Sequence, residues 1–359
     1  MSTIIKLENE DQLFDSVSTL IEESRRHVAH AVNVAMVYTY YGVGQYIIDY
    51  EQGGSYRAAY GKGVLERLSQ RLTDKFGKGW SVETLTKCRK FYNVYAIPSA
   101  AQTKSEVAEN SSDGQTKSAP EFILSWNHYQ ILMRIENPDE RHFYEIEAKT
   151  QNWGYKWLQR QYASSLYERV ALSTDKRKVV QLAKKGQVVE SPSDIIKNPL
   201  ALEFLGLKSD ASYSESKLES AIIDKLQSFL LEMGKGFLFE ARQRRFTFNE
   251  DNFYVDLVLY NRILQCYVLV DLKVAKLTHQ DLGQMQMYVN YYDRHVKLDF
   301  EKPTIGILLC KSKDDALVEL TLPEDSNIYA AQYSLYLPDK SLLQRKLKEW
   351  IDEYHEEED

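Results

Sequence analysis

Apolar residues recur at helical spacing through the first half of the chain. The stretch from Val28 to Tyr50 is rich in Ala, Val and Tyr, and helical patterning resumes at Phe122 and continues to Val170. Between them, residues 98–120 are small and polar, which predicts a flexible loop. The pattern predicts an all-helical N-terminal domain over residues 1–185, followed by a linker at 186–210.

β-type runs follow in the second half. Residues 253–260 alternate apolar and polar side chains, residues 266–270 are continuously apolar, and residues 304–310 are typical of a strand covered on both faces. We expect a strand-containing domain over residues 211–345 and an acidic tail at 346–359. The chain is therefore predicted to be an α+β multidomain protein.

The composition narrows the class of protein but does not indicate a function. The net charge of −7 argues mildly against a nucleic-acid partner, but this whole-chain sum includes the acidic tail. The three cysteines lack a C-x-x-C pair, so we expect no zinc or disulfide framework. Because no uncharged apolar stretch is long enough to span a bilayer, we expect a cytoplasmic protein without membrane association.

A basic helical hairpin is predicted within the N-terminal domain. Amphipathic segments flank a glycine-containing break at 76–80, and Ser81 has the position of a helix N-cap. The second segment carries Lys87, Arg89 and Lys90. Two interpretations remain open: a helix-turn-helix that contacts nucleic acid in the major groove, or an ordinary αα-hairpin.

Charged residues interrupt the two β-type runs about 15 residues apart. Asp256 lies within the first run, and the second ends in Asp271-Leu272-Lys273. Because strand side chains alternate, Asp271 and Lys273 share a face, while Leu272 points away and offers its backbone carbonyl. Two carboxylates and a carbonyl suit Mg²⁺ or Mn²⁺, with the lysine orienting or deprotonating a water. The alternative is a structural salt bridge.

The residues after this strand predict a helix with a polar face. Thr278 and Asp281 have the spacing of a capping box. At 100° per residue, Gln280, Gln284 and Tyr288 fall on one face, where they could contact phosphates or bases. A merely solvated face would show the same spacing.

Further charged residues precede the first strand of the pair. Glu219 falls in the apolar sector of a predicted helix, so it is either a third acid of the site or is paired with a base such as Lys273. Arg244 and Arg245 lie in a run that interleaves basic and aromatic residues. They could contact phosphates, or they could protect an edge strand.

Together these residues resemble a known signature. Glu219, Asp256, Asp271-Leu272-Lys273 and Gln284-x-x-x-Tyr288 match the helix–strand–strand–helix pattern of the PD-(D/E)XK nuclease superfamily. Longer strings, at 254–258, 266–269 and 276–285, resemble the YhcG-like family of bacterial nucleases. Val255 replaces the proline of the superfamily's name, and Asp271 stands where many members have Glu.

The resemblance implies a restriction-endonuclease-like domain with a mixed central sheet flanked by helices. It also implies that Asp256, Asp271 and the Leu272 carbonyl bind Mg²⁺ or Mn²⁺, that Lys273 lies beside the water, and that Gln284 and Tyr288 line the substrate side. The expected activity is phosphodiester hydrolysis.

DNA is the expected substrate of this activity, RNA remains open, and a homodimer is one expected assembly. The rival hypothesis is a non-catalytic nucleic-acid-binding scaffold built on a nuclease fold.

Overall fold

A helical first unit and a sheet-containing second unit make up the chain. The computed structural model describes residues 9–52, 61–96, 120–173, 176–207, 213–248, 250–323 and 325–358. The chain divides into the units Met1–Asn137 and Pro138–Asp359. The predicted loop at 98–120 lies outside the described residues except for Pro120. No helix of the described part of the chain is long and apolar enough to cross a membrane.

The described part of the first unit contains four helices: α1 (Glu10–Gln52), α2 (Gly61–Phe76), α3 (Val82–Tyr95) and α4 (Trp126–Leu132). The predicted N-cap is confirmed, since the Ser81 side chain accepts a hydrogen bond from the Thr84 amide. Helix α3 packs closely on α1 at Gly44, where an added Cβ would lie 2.1 Å from the Cys88 carbonyl oxygen. Only glycine permits this approach of the two helices.

A mixed sheet forms the centre of the second unit. Its order is β1-β6-β5-β4-β3-β2, with parallel pairing from β1 to β4 and antiparallel pairing of β4 with β3 and of β3 with β2. The strands are β1 (Leu200–Ala201), β2 (Phe237–Phe248), β3 (Asp251–Asn261), β4 (Cys266–Lys276), β5 (Ile305–Ser312) and β6 (Ile328–Ser334).

Nine helices of the described residues belong to this unit: α5 (Pro138–Thr150), α6 (Tyr155–Ala163), α7 (Leu166–Leu172), α8 (Lys176–Lys185), α9 (Glu215–Asp224), α10 (Leu226–Met233), α11 (His279–His295), α12 (Asp315–Thr321) and α13 (Lys340–Glu358). Apolar residues of α9 and α10 form one core with the sheet, and those of α11 form a second core with its other face. The predicted mixed sheet flanked by helices is confirmed.

The two units do not divide the chain at the predicted boundary, and the predicted domain limits stay a prediction. Helices α5 to α8, predicted to belong to the first domain, lie in the second unit. The predicted linker at 186–210 contains β1 and two 3-10 turns as far as residue 207, and residues 208–210 lie outside the described residues. The predicted tail at 346–359 continues helix α13 as far as Glu358.

Buried ionic contacts explain why helices from before residue 185 belong with the sheet. Glu232 of α10 is fully buried, and its Oε1 lies 2.6 Å from Nη1 of Arg169 in α7. Arg160 of α6 donates to the other carboxylate oxygen of Glu232 and also binds Glu203. Sequence periodicity cannot show pairing between residues this far apart in the chain.

Candidate active site

The candidate site lies where strands β3 and β4 separate. Their paired register ends at Leu257 opposite Val270. Beyond this pair, Oδ2 of Asp256 accepts a hydrogen bond of 2.8 Å from the Leu272 amide, in the place of a strand carbonyl. Because the N–H and C=O of one strand residue point to the same neighbour, the Leu272 carbonyl faces the same gap. Both strands thus present oxygen atoms to one point.

Asp271 and Lys273 lie on the face of the sheet that α11 covers. Nζ of Lys273 is 2.8 Å from Oδ2 of Asp271 and 3.6 Å from Oδ1 of Asp281. Leu272 packs into the opposite core, with α9 and α10. The alternation predicted from the sequence therefore places the two charged side chains together.

The surroundings of Asp271 perturb its titration. Burial, and then the negative charge of Asp256, raise the pKa of Asp271 to about 7, although the contact with Lys273 lowers it. Burial lowers the pKa of Lys273, but the contact and charge of Asp271 outweigh this effect and raise it above its usual value. Lys273 is therefore a cation at neutral pH, which favours orienting a water over deprotonating it.

These oxygen atoms fit a divalent cation. Oδ2 of Asp271 is buried and, among the described residues, has no aligned hydrogen-bond partner, only the ion pair with Lys273. Within the described part of the chain, no group of three or more His, Cys, Asp or Glu side chains could hold a metal. Mg²⁺ requires only one or two carboxylates when waters and substrate phosphates complete its octahedron.

Glu219 joins the site through a glutamine that sequence reasoning missed. Nε2 of Gln243 donates to Oε2 of Glu219 at 2.8 Å and to Oδ1 of Asp256 at 2.9 Å. The base paired with Glu219 is Arg242, whose Nε lies 3.2 Å from Oε1 of Glu219, and not Lys273. Gln243 has a left-handed φ of 45°, which is uncommon outside glycine. No sequence signal indicates this conformation.

We expect Gln243→Gly to lower the affinity for Mn²⁺ by about tenfold, since hydrogen bonds to metal-binding carboxylates hold them in the orientation that binds the metal. Glycine accepts the left-handed backbone, so any loss is due to the missing amide. Gln265→Gly is the matched control, because Gln265 has a φ of 56° in the β3–β4 turn. Isothermal titration of both variants measures the effect. Equal affinity in the two variants would contradict the bridging role.

Helix α11 confirms its predicted start and changes one predicted role. Thr278 and Asp281 form the expected capping box. The Tyr288 hydroxyl accepts a hydrogen bond from Gln284, but Tyr288 is 1% exposed and packs against Phe246. Tyr288 is therefore a core residue in this structure and does not reach a substrate directly. Gln284 is half-buried, and the Gln280 side chain is exposed.

The basic residues that were predicted to contact nucleic acid lie in different surroundings. Arg244 and Arg245 are exposed on β2, an edge strand, as the protective interpretation requires. In α3, Lys87 pairs with Glu83 at 2.7 Å and Arg89 with Glu51 at 2.9 Å.

Lys90 of the same helix is exposed. Helices α2 and α3 form the predicted hairpin, but α3 is packed against α1, and its contact with nucleic acid stays a prediction.

Known proteins share this sequence along most of its length. Residues 193–348 match the family model described as YhcG PDDEXK nuclease domain, and residues 16–169 match the DUF1016 N-terminal domain. YhcG of Escherichia coli (strain K12), named as a proposed nuclease, is 36% identical over 353 residues, which cover 94% of this chain and 93% of that protein.

Two solved structures show weaker similarity. A repair endonuclease from Pyrococcus abyssi aligns with a TM-score of 0.24 and 19% identity, and an EndoMS complex with double-stranded DNA with a TM-score of 0.26 and 14% identity. Each alignment covers 37% of this chain and about half (50%) of the other. The full-length similarity to YhcG and the two family models decide the assignment: this chain belongs to the YhcG family, and its second unit carries that family's PDDEXK nuclease domain.

Proposed function

We propose that this protein is a divalent-metal-dependent nuclease that hydrolyses phosphodiester bonds, most readily in DNA. The observation that carries the proposal is the gap between β3 and β4, where Asp256, Asp271 and the Leu272 carbonyl converge beside the Lys273 ammonium. The buried carboxylate of Asp271 lies beside that of Asp256, and a cation that joins them relieves the repulsion between the two.

Each residue of the gap then has a distinct role. Asp256, Asp271 and the Leu272 carbonyl would hold Mg²⁺ or Mn²⁺, which supplies a Lewis acid that polarises the phosphate and acidifies a water. Lys273 orients that water and offsets negative charge on the phosphate. Glu219 acts at a distance, because Gln243 connects its carboxylate to that of Asp256.

A groove on the second unit supports nucleic acid as the substrate. The groove has a volume of about 370 Å³ and lies between the end of β2 and α11. Aromatic, amide and basic side chains line it, among them Phe248, Asn290, Tyr291 and Arg294. Stacking surfaces next to cations suit unpaired bases and their phosphates. RNA offers the same groups, so the groove alone does not select the sugar.

The test is cleavage of labelled double-stranded, single-stranded and branched DNA and of RNA, with Mg²⁺, with Mn²⁺ and with a chelator. Metal-dependent cleavage of DNA supports the proposal, and cleavage of RNA alone would change its substrate. Binding without cleavage under every condition would favour the rival, a nucleic-acid-binding scaffold.

Metal binding should also stabilise the protein at pH 8 and much less at pH 5.5. The pKa of Asp271 is raised to about 7, so folding favours its protonated form, and stability falls as pH rises from the unfolded value of 3.8 through 7. Above pH 7 a bound cation offsets the loss of stability that ionised Asp271 causes. Below pH 7 Asp271 is protonated, and a cation must displace its proton to bind. At a hundredfold excess over Kd, Mg²⁺ should add about 2.7 kcal/mol and raise Tm by roughly 5 °C.

Scanning calorimetry with and without Mg²⁺ at both pH values measures this shift. Asp256→Ala should lack the gain at pH 8. An equal shift in wild type and variant would place the cation elsewhere.

A further inference from the structure

The first part of α1 exposes apolar side chains, and little else in the described part of the chain covers it. Of the side chains described between residues 10 and 33, only Ser18 is partly buried. Phe14 is 71% exposed, Leu20 is 63% exposed and Val28 is 64% exposed. The exposed apolar residues of this stretch are Leu13, Phe14, Val17, Leu20, Ile21, Val28 and Val32. Single exposed apolar residues are ordinary, but a contiguous group marks an interaction surface.

These apolar residues form one stripe. At 100° per residue they fall within a sector of about 120°, the width that a helix normally buries. The stretch 10–33 is roughly 36 Å long and spans more than three heptads, which is enough for a stable pair of helices. A helix of this length without packing is only marginally stable in water. The stripe therefore needs a partner surface of similar length.

The charges of the stretch identify that partner. Residues 10–23 contain the acids Glu10, Asp11, Asp15, Glu22 and Glu23 and no basic residue. Residues 25–30 contain two arginines and two histidines and no acid. A second copy in antiparallel orientation brings each acidic end against a basic end, whereas a parallel copy stacks like charges. Self-complementarity of this kind is what a two-fold interface requires.

We propose that α1 is a dimerisation helix, in which the first part of α1 pairs antiparallel with the same part of a second copy. The two-fold axis passes midway between Asp11 and Arg25, at the level between Val17 and Leu20, and the apolar stripe forms the seam. Asp11 and Arg25 lie on the same edge of the stripe, and equal edges meet in an antiparallel pair. Asp11 therefore faces the partner's Arg25. The dimer is independent of the proposed nuclease activity.

Sedimentation equilibrium of the full chain, with and without added salt, tests this pairing. The wild type should be a dimer, and Leu20→Glu should be a monomer. Asp11→Arg and Arg25→Asp should each weaken the dimer by about tenfold or more, because each places like charges together at two points. The double variant Asp11→Arg/Arg25→Asp should restore the wild-type affinity, which no unfolding effect can do. Circular dichroism confirms equal helix content.

Asp49→Arg is the matched control, since Asp49 is exposed on the same helix but outside the stripe. It should leave the dimer unchanged. The proposal would be overturned if the wild type stayed monomeric even at 100 times the concentration at which the variants are compared. A double variant no tighter than its single variants, or a dimer that survives Leu20→Glu, would also overturn it. Loss of the dimer in Leu20→Glu together with rescue by charge exchange establishes it.

Discussion

Asp271→Ala is expected to lower the rate of nucleic-acid cleavage by about a thousandfold while the protein stays folded. Asp271 contributes a buried carboxylate that lies against Lys273 and beside Asp256. Its removal takes away a proposed cation ligand and the anion that positions Lys273. Loss of one principal electrostatic group in an active site has effects of about 10²–10³-fold. Single-turnover cleavage of the best substrate measures the rate.

Substitution of Asp271 should change the stability of the fold and the rate of cleavage in opposite directions. The raised pKa of Asp271 means that its ionised form destabilises the folded state at pH 8 in the absence of metal. Asp271→Asn should therefore melt at a higher temperature than the wild type at pH 8 and yet be inactive. Such an exchange of stability for activity is typical of active sites. An unstable variant would instead give Asp271 a structural role.

Variants of Lys273 show whether this lysine orients a water or deprotonates it. Because its pKa is raised by Asp271, Lys273 is a cation, and Lys273→Arg keeps that charge. Lys273→Arg should retain more activity than Lys273→Ala. Asp314→Asn is the control, since Asp314 forms an exposed ion pair with Lys276 in the same unit. This variant should cleave at the wild-type rate. Equal loss in both Lys273 variants would assign proton transfer to the lysine.

Local patterns in the sequence predicted the parts of the site that depend on neighbouring residues. Strand alternation brought Asp271 and Lys273 to one face, and the spacing of Thr278 and Asp281 predicted the capping box. Both follow from the geometry of a single element. The two β-type runs also predicted that Asp256 joins this site from a different strand, and the family resemblance implied the same.

Contacts between distant elements could not be predicted in this way. Gln243 reaches two acids because its backbone adopts a left-handed conformation, which the sequence does not encode visibly. Tyr288 was placed on the polar face of α11, but β2 covers that side with Phe246 and buries the ring. Helical spacing describes one helix and not what packs against it.

The domain limits also depend on contacts between distant elements. At one of these contacts, a substitution of the buried Glu232 has a large expected effect on stability. Glu232 accepts hydrogen bonds from Arg169 and Arg160, and its Oε1 also accepts one of 3.0 Å from the Ala201 amide. Burial alone raises the pKa of Glu232, but the charges of Arg169, Arg160 and Lys197 outweigh it and lower the pKa to about 2. The carboxylate thus joins α6, α7, α10 and β1.

We expect Glu232→Gln to destabilise the second unit by about 3–5 kcal/mol, because it leaves the fully buried Arg169 guanidinium without its counterion and removes one of the two acids bound by Arg160. Glu203→Gln is the matched control, since it removes another partner of Arg160 that is 19% exposed, and its effect should be smaller. Native-state hydrogen exchange of residues 155–172 and 226–233 measures the free energy locally. It therefore does not require the whole chain to unfold in one step.

The pH dependence of this difference provides an independent check. A lowered pKa means that Glu232 contributes stability above its unfolded value of 4.5 and loses it as pH falls toward 2. The difference in stability between wild type and Glu232→Gln should therefore be fully present at pH 5 and shrink below pH 4.5. A difference that is unchanged by acid would mean that Glu232 acts through packing and not through charge. In that case the ionic contacts would not explain why helices α6 and α7 belong with the sheet, and apolar packing alone would have to hold them there.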